Sequence, residues 1–242
     1  MPSLHDVTAA RRDPELVVLE GFHALKHAVR FGGDVLGVWT ADGPALEALR
    51  ERLAPDLALP PVTLVEHEEL TRVVPRAQVL ALARRPVQPD ARALLALPGP
   101  EPVILLEAPR HLGNLGACVR VAAAAGAAGV ISTGDQDPWH ADALRGGAGL
   151  HFALPVRRVR ELPPTDRALI ALDPEGDVLG ATGTPAIPPR AVLAFGTERD
   201  GLSDALLARA DARLALPMRP GVSSLNLATS VAAVLYGLPS RT

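Results

Sequence analysis

The sequence predicts an α/β protein in two parts, and three observations support this fold class. Short apolar runs of strand length alternate with segments whose apolar residues recur at helix spacing. A proline-rich stretch, ARRPVQPDARALLALPGPEP, separates two such alternating regions. In the second region, glycine-rich loops follow apolar runs, as at the ligand-binding ends of parallel strands. We therefore expect a small α/β module at residues 1–84, a linker at residues 85–100 and a larger α/β domain with a mostly parallel sheet at residues 101–242.

Composition and charge limit the class of protein. With 242 residues and 48% hydrophobic residues, the chain can bury the core of one large or two small domains. Its formal net charge of −3 gives no general attraction to nucleic acid, so RNA binding would need local basic patches. The single cysteine, Cys118, excludes an intramolecular disulfide and is typical of a reducing cytoplasm. The first residues lack the apolar core of a signal peptide, and no apolar run is long enough to span a bilayer, so we expect a cytoplasmic protein.

The amino-terminal module opens with a predicted strand at residues 16–21 and a helix that starts at Phe22 and ends near Gly32. His23 and His27 lie one helical turn apart, but no third ligand type is near them, so no metal site is predicted. The remaining elements of the module are predicted strands at residues 35–40 and 62–65 and predicted helices at residues 46–53 and 67–73.

The carboxyl-terminal domain opens with a strand at residues 103–106, after which Asn114 is a candidate N-cap and Gly126 closes a helix of small residues. Cys118 lies on this helix and is expected to be a buried, inert thiol. The last helix should run from about Leu225 to Tyr236. It should pack one face, made of Leu225, Ala228, Ala232 and Leu235, against the sheet. Further strands are predicted at residues 129–132, 150–156, 168–172, 191–195 and 214–216, with a helix at residues 138–145.

Motifs for common nucleotide sites are absent from the sequence. No G-x-G-x-x-G follows a predicted strand, and no G-x-x-x-x-G-K-[ST] occurs anywhere in the chain. The sequence therefore gives no support to a dinucleotide-binding Rossmann domain or to a P-loop nucleotidase.

Three segments of the second half resemble a known family. GNLGACVR (113–120), FGTERDGLS (195–203) and LPMRPGVSSLNLATSVAA (216–233) are similar to the signature motifs of the TrmH/SpoU family of S-adenosylmethionine-dependent RNA ribose 2′-O-methyltransferases, in the family's order. The segment VVLEGFHALKHAVRFG (17–32) resembles the opening of a ribosomal-protein-L30e-like substrate-binding domain. The resemblance implies a SPOUT catalytic domain at residues 101–242 with a deep trefoil knot, an L30e-like RNA-binding domain at residues 1–84, and a homodimer.

The resemblance also implies residue roles. Arg120 matches the catalytic arginine. Because a guanidinium is a poor base, we expect it to clamp a phosphate beside the target ribose and to stabilise the developing alkoxide. Glu198 would orient Arg120. The other catalytic candidates are Asn114, Ser224 and Asn226, and the residues expected to contact S-adenosyl-L-methionine are Gly196, Leu216, Leu225, Leu172 and Met218.

RNA contacts are expected from basic residues. The candidates in the amino-terminal module are Arg11, Arg12, Lys26 and Arg30, and Arg110 lies at the expected mouth of the site. A second basic cluster contains Arg157, Arg158 and Arg160. Acidic neighbours dilute the first cluster, so a merely solvated face remains an alternative for these residues.

The sequence departs from the family pattern in two places, and two other functions remain open. The run RGGAG (145–149) stands where relatives often carry a serine, and RHLG (110–113) stands where Asp and Pro usually precede the asparagine. One alternative is a base methyltransferase of the same knotted superfamily. The other is an RNA-binding relative that has lost catalysis.

Overall fold

The computed structural model describes residues 2–75, 77–197, 200–222 and 224–238. The chain divides into two compact units. The first comprises residues 1–87 together with 139–153, and the second comprises residues 88–138 together with 154–242. Each unit therefore consists of two separate segments of the chain. The short stretch 139–153 makes its contacts with the amino-terminal part of the chain.

Strands and helices alternate along the described residues. The strands are β1 (Leu16–Glu20), β2 (Val35–Thr40), β3 (Val62–Leu64), β4 (Val79–Arg84), β5 (Val103–Leu106), β6 (Gly129–Ser132), β7 (Val156–Arg158), β8 (Leu169–Val178), β9 (Val192–Phe195) and β10 (Ala212–Ala215). The helices are α1 (Asp6–Ala10), α2 (Phe22–Arg30), α3 (Gly43–Leu53), α4 (His67–Val73), α5 (Ala91–Leu95), α6 (Leu112–Ala124), α7 (Ala141–Gly146), α8 (Asp204–Leu207) and α9 (Leu227–Gly237). Within the described part of the chain, no helix is both long and apolar enough to cross a membrane.

The first unit is built on a four-stranded sheet in the order β1-β4-β2-β3. Strand β4 runs antiparallel to β1 and to β2, while β2 and β3 are parallel. Sequence analysis missed β4, although five of its six residues, all except Arg84, are buried. Its run VLALA has no period-2 alternation because both faces of a central strand are covered, and the proline-rich stretch follows it directly.

The stretch 139–153 is held in the first unit by polar bonds and close packing. Arg145 on α7 bridges the carboxylates of Glu20 and Asp142 at 2.6 Å each. The ring Nδ1 of His27 lies 2.6 Å from the carbonyl oxygen of Ala148. An added Cβ at Gly149 would lie 2.6 Å from the carbonyl oxygen of Ala24 in α2, so only glycine permits this packing.

The stretch predicted as a linker contains folded structure. Asp90 caps the start of helix α5, since its Oδ1 accepts a hydrogen bond from the amide of Ala93 at 2.8 Å. Leu94 and Leu95 are buried in the core of the second unit, where they cluster with Leu105 of β5. Prolines flank the helix without interrupting it, which is why composition alone suggested a linker.

The second unit is built on a six-stranded sheet in the order β10-β8-β9-β5-β6-β7, and every neighbouring pair is parallel. The predicted α/β class with a mostly parallel sheet is thus confirmed. All residues of β5, β6 and β9 are buried, as expected for strands covered on both faces. The register pairs Phe195 with both Leu106 and Leu172, so the carboxyl ends of β5 and β9 lie beside the middle of β8.

The prediction of one strand at residues 150–156 is wrong. Residues Leu150–Phe152 form a short 3₁₀ turn, and the strand β7 begins only at Val156. Ala148 and Gly149 both adopt left-handed backbone conformations, with φ of 51° and 74°, and turn the chain before a strand can start.

Two predicted features of helix ends are also corrected. Asn114 is not an N-cap, because α6 starts at Leu112 with His111 in the cap position. The last helix starts at Leu227, with Asn226 as its N-cap, rather than at about Leu225.

The predicted buried face of the last helix is wrong at Leu225, Ala228 and Ala232 but correct at Leu235. Leu225 precedes α9 and is 40% exposed. The helix packs against α6. The residues that α9 buries are Leu227, Val231, Val234 and Leu235. Cys118 of α6 is buried, as expected.

Candidate functional site

A cavity of about 270 Å³ lies at the carboxyl ends of β9 and β10, beside residues 172–174 of β8. Parallel strands bring the loops that follow them to one edge of the sheet, and ligands commonly bind there. The described residues that line the cavity are Leu172, Asp173, Pro174, Phe195, Gly196, Thr197, Gly201, Leu216, Met218, Ser224, Leu225, Leu227 and Ser230. All five residues predicted to contact a cofactor are among them.

The loop after β9 explains why position 196 is a glycine. The amides and carbonyls of Thr197 and Gly201 exchange two hydrogen bonds of 3.1 Å, so the loop closes on itself. An added Cβ at Gly196 would lie 2.0 Å from the carbonyl carbon of Gly201 and 2.4 Å from the amide of Leu202. The return of the loop on itself therefore requires glycine at position 196. Glu198 and Arg199 lie outside the described residues, so the role of Glu198 stays a prediction.

Two side-chain contacts that sequence analysis missed fix this loop to the end of β5. The carboxylate of Glu107 accepts hydrogen bonds from the amide and the hydroxyl of Ser203, both at 2.7 Å. Arg110 forms an ion pair with Asp200, whose amide donates to the hydroxyl of Thr197 at 3.0 Å. Arg110 was predicted to contact RNA. Its guanidinium pairs with an exposed carboxylate. An RNA phosphate would have to compete with this carboxylate for the guanidinium.

The first and third signature segments meet through two asparagines. The side-chain Nδ2 of Asn226 donates to Oδ1 of Asn114 at 3.2 Å. The Oδ1 of Asn226 accepts from the amides of Ala228 at 2.9 Å and Thr229 at 3.4 Å, which caps α9. The cap therefore fixes which end of the Asn226 amide faces Asn114. These are two of the predicted catalytic residues, and Ser224 lies nearby in the cavity wall.

Arg120 faces a different direction from these asparagines. It is exposed on α6 and lies six residues after Asn114, which separates the two side chains by about 120° around the helix axis. The cavity lining given above does not include Arg120. None of the described residues forms a hydrogen bond or an ion pair with its guanidinium. Among the described residues, Arg120 is thus exposed to solvent and is not part of the cavity wall.

Two of the four basic residues predicted to bind RNA in the first unit already have acidic partners. Arg11 pairs with Glu20 at 2.6 Å. Arg30 donates to both carboxylate oxygens of Asp56 at 2.7 Å, and this bond lowers the pKa of the Asp56 carboxyl. Arg12 is exposed and Lys26 is half-buried. At Arg11 and Arg30, these ion pairs favour the alternative that the basic cluster is a solvated surface rather than an RNA-binding one.

The arrangement at the strand ends fits a small ligand with both apolar and polar groups. Leucine side chains supply apolar walls, backbone groups of two glycine-containing turns are within reach, and the carboxylate of Asp173 provides one charge. Sequence analysis did not single out Asp173, because an Asp-Pro pair after a strand is typical of a turn.

Comparisons with known proteins agree with this architecture. A model of the SpoU rRNA Methylase family matches residues 101–236. The 23S rRNA (guanosine(2553)-2′-O)-methyltransferase of Bacillus subtilis strain 168 is 30% identical over 91% of this chain and 87% of that protein. A crystal structure of an RNA 2′-O ribose methyltransferase is 25% identical, with a TM-score of 0.77 over 97% of this chain and 94% of that one. The SpoU methyltransferase AviRb from Streptomyces viridochromogenes in complex with the cofactor AdoMet is 22% identical, with a TM-score of 0.75 over 98% and 92%.

Proposed function

The chain belongs to the SpoU rRNA methylase family, and we propose that it transfers a methyl group from S-adenosyl-L-methionine to a ribose 2′-hydroxyl of RNA. The observation that carries this proposal is the cavity at the ends of β9 and β10. Its wall combines residues of the second and third signature segments with residues 172–174 of β8, which come more than twenty residues earlier in the sequence. Ribosomal RNA is the favoured substrate class, because the Bacillus subtilis relative is named for methylation of 23S rRNA.

The residues of the cavity fit a sulfonium donor. Such a ligand carries a flat adenine ring, a ribose diol and a charged amino-acid part, so it needs apolar walls together with polar groups. Leu172, Leu216 and Leu225 supply the apolar surface, and Gly196 and Gly201 bring backbone groups close to the cavity. These residues would hold the cofactor, which supplies an electrophilic methyl group when it is bound.

Arg120 is the residue that we propose binds the RNA substrate at the reacting ribose. A guanidinium donates to phosphate in a bidentate geometry and keeps its own proton at neutral pH. We therefore assign Arg120 to the phosphate next to the target ribose, where its charge also stabilises the negative charge that develops on O2′. The proton of the 2′-hydroxyl is lost to solvent as the new bond forms. Asn114 and Asn226 position the start of α9 at the cavity, and Glu198 orients Arg120.

The exposed position of Arg120 supports a proposed quaternary structure. Because Arg120 is exposed on a face of α6 turned away from Asn114, a second copy of the chain is proposed to bring its own Arg120 to this cavity. A homodimer with two such shared sites satisfies the twofold symmetry of most small assemblies. The same proposal includes a knotted carboxyl-terminal segment and a catalytic domain at residues 101–242. It also includes an L30e-like role of residues 1–84 in RNA binding and a cytoplasmic location.

The test is transfer of a labelled methyl group from S-adenosyl-L-methionine to ribosomal RNA, followed by digestion to nucleosides and mass spectrometry. We expect a single 2′-O-methylated nucleoside. A methylated base would instead identify the chain as a base methyltransferase. RNA binding with no cofactor binding in a calorimetric titration would identify a relative that has lost catalysis.

A further inference from the structure

Strand β8 leaves its neighbour for five residues at the edge of the cavity. Its pairing with β10 runs from Ala171, opposite Arg213, directly to Asp177, opposite Leu214. Leu172 still pairs with Phe195 of β9, so residues 173–176 bulge away from the sheet. An added Cβ at Gly176 would lie 2.5 Å from the carbonyl carbon of Arg213 and 2.6 Å from the amide of Leu214. Only glycine lets the chain return to the sheet at this point, so the bulge is a fixed feature of the fold.

The bulge holds Asp173 in the wall of the cavity. The Asp173 side chain is 12% exposed. One carboxylate oxygen accepts from the amide of Glu175 at 2.9 Å, and the other accepts from the Arg213 guanidinium at 2.7 Å. Each oxygen of the carboxylate thus accepts one hydrogen bond, which fixes its position. Each oxygen also has a further lone pair that can accept a bond from a ligand.

The charges around Asp173 do not cancel. The same nitrogen of Arg213 lies 3.5 Å from the carboxylate of Glu175, whose side chain is 85% exposed. Two carboxylates share one guanidinium, which leaves a local net charge of about −1 at neutral pH. Among the described residues that line the cavity, Asp173 is the only charged one. The cavity wall is therefore complementary to a ligand that carries positive charge.

We propose that Asp173 is the residue by which this cavity distinguishes the positively charged sulfonium donor from the neutral thioether product. The inference rests on the proposed function. Methyl transfer removes one positive charge from the sulfur, while the adenine, the ribose and the amino-acid part stay the same. A carboxylate in a partly enclosed wall attracts the sulfonium form and has no such attraction for the thioether. Asp173 thereby favours donor binding and product release.

The test compares the dissociation constants of S-adenosyl-L-methionine and S-adenosyl-L-homocysteine by isothermal titration calorimetry, using the full chain. In Asp173→Asn, we expect the ratio of the product's dissociation constant to the donor's to fall about tenfold, or about 1.4 kcal/mol, mainly through weaker donor binding. The matched comparison is Glu175→Gln, which removes the exposed carboxylate that shares Arg213 but does not line the cavity, so the ratio should fall much less than in Asp173→Asn. Asp173→Glu retains the charge and should retain most of the ratio.

A second variant moves the ratio in the opposite direction. Arg213→Gln removes the partner cation and leaves the Asp173 carboxylate in place, so the ratio should rise. Equal weakening of both ligands in Asp173→Asn would overturn the inference, because it would assign Asp173 to a group that both ligands share, such as the ribose diol. An unchanged ratio in both variants would also overturn it. A wild-type chain that bound neither ligand would contradict the proposed function itself, which is a separate outcome.

Discussion

The side chain of Asn226 performs two tasks with two different atoms. Its Oδ1 caps α9, and its Nδ2 donates to Asn114. The variant Asn226→Ser retains a capping oxygen and removes the donor, so we expect a change in unfolding free energy of less than about 0.5 kcal/mol but a clear loss of methyl transfer. Asn226→Ala, the matched variant without a cap, should lose about 1 kcal/mol as well. Urea unfolding and the transfer assay measure the two effects. Full activity in the serine variant would limit Asn226 to helix capping.

Arg167 shows how much of the fold depends on a residue that no motif marks. It is 3% exposed, and its guanidinium donates to the carbonyl oxygens of four residues, namely Leu95 at 2.6 Å, Leu97 and Glu101 at 2.9 Å, and Arg190 at 3.1 Å. Arg167→Met would leave these carbonyls without their donor, and we expect a loss of about 3 kcal/mol or more in unfolding free energy. Arg209→Met, which removes a single bond to the carbonyl of Leu162, should cost about 1 kcal/mol. Equal losses in urea unfolding would contradict this role of Arg167.

At the scale of elements, the contact between α2 and the turn after α7 predicts a pH dependence. Burial lowers the pKa of His27 from its ordinary value of 6.5, and the bond to the carbonyl of Ala148 only partly opposes this effect. Because the unfolded chain binds the proton more readily than the folded one, this histidine makes the fold less stable as the pH falls below about 6.5. Above that pH the histidine is neutral in both states and has no such effect.

The corresponding measurement is the unfolding free energy of wild type and His27→Gln between about pH 5 and pH 7.5. The glutamine can still donate to Ala148 but cannot be protonated, so the difference between the two proteins should shrink as the pH falls. His140→Gln, which changes an exposed histidine of the same unit, serves as the control. Parallel pH curves for wild type and His27→Gln would show that the buried ring does not titrate with folding.

At the scale of the whole molecule, the sequence was informative where the signals are local. The apolar runs that became β5 and β9 and the glycine loops after the strands identified the parallel sheet and the residues that line the cavity. Features that depend on distant partners could not be predicted in this way. The bulge in β8 requires β10 beside it, and the packing of residues 139–153 in the first unit requires α2. Asp173 was missed for this reason, since its place in the cavity wall depends on the bulge beside β10 and on the hydrogen bond from Arg213, forty residues further along the chain.

The proposed dimer makes a prediction that only the whole assembly can test. Arg120→Ala should abolish methyl transfer and leave cofactor affinity near that of wild type, because Arg120 is not in the lining of its own chain's cavity. Asn226→Ser should also be inactive. If each site combines the cavity of one copy with the Arg120 of the other, a mixed dimer of the two variants has one intact site out of two.

Co-expression of equal amounts of the two variants should therefore restore about one quarter of the wild-type activity, since half of the randomly formed dimers are mixed. Each variant alone is the control, as is a mixture prepared without subunit exchange, and all three should stay inactive. If Arg120 and Asn226 act within one chain, every site of the mixed dimer lacks one of them. No activity would then return, and Arg120 would have to reach its own cavity by a movement of α6.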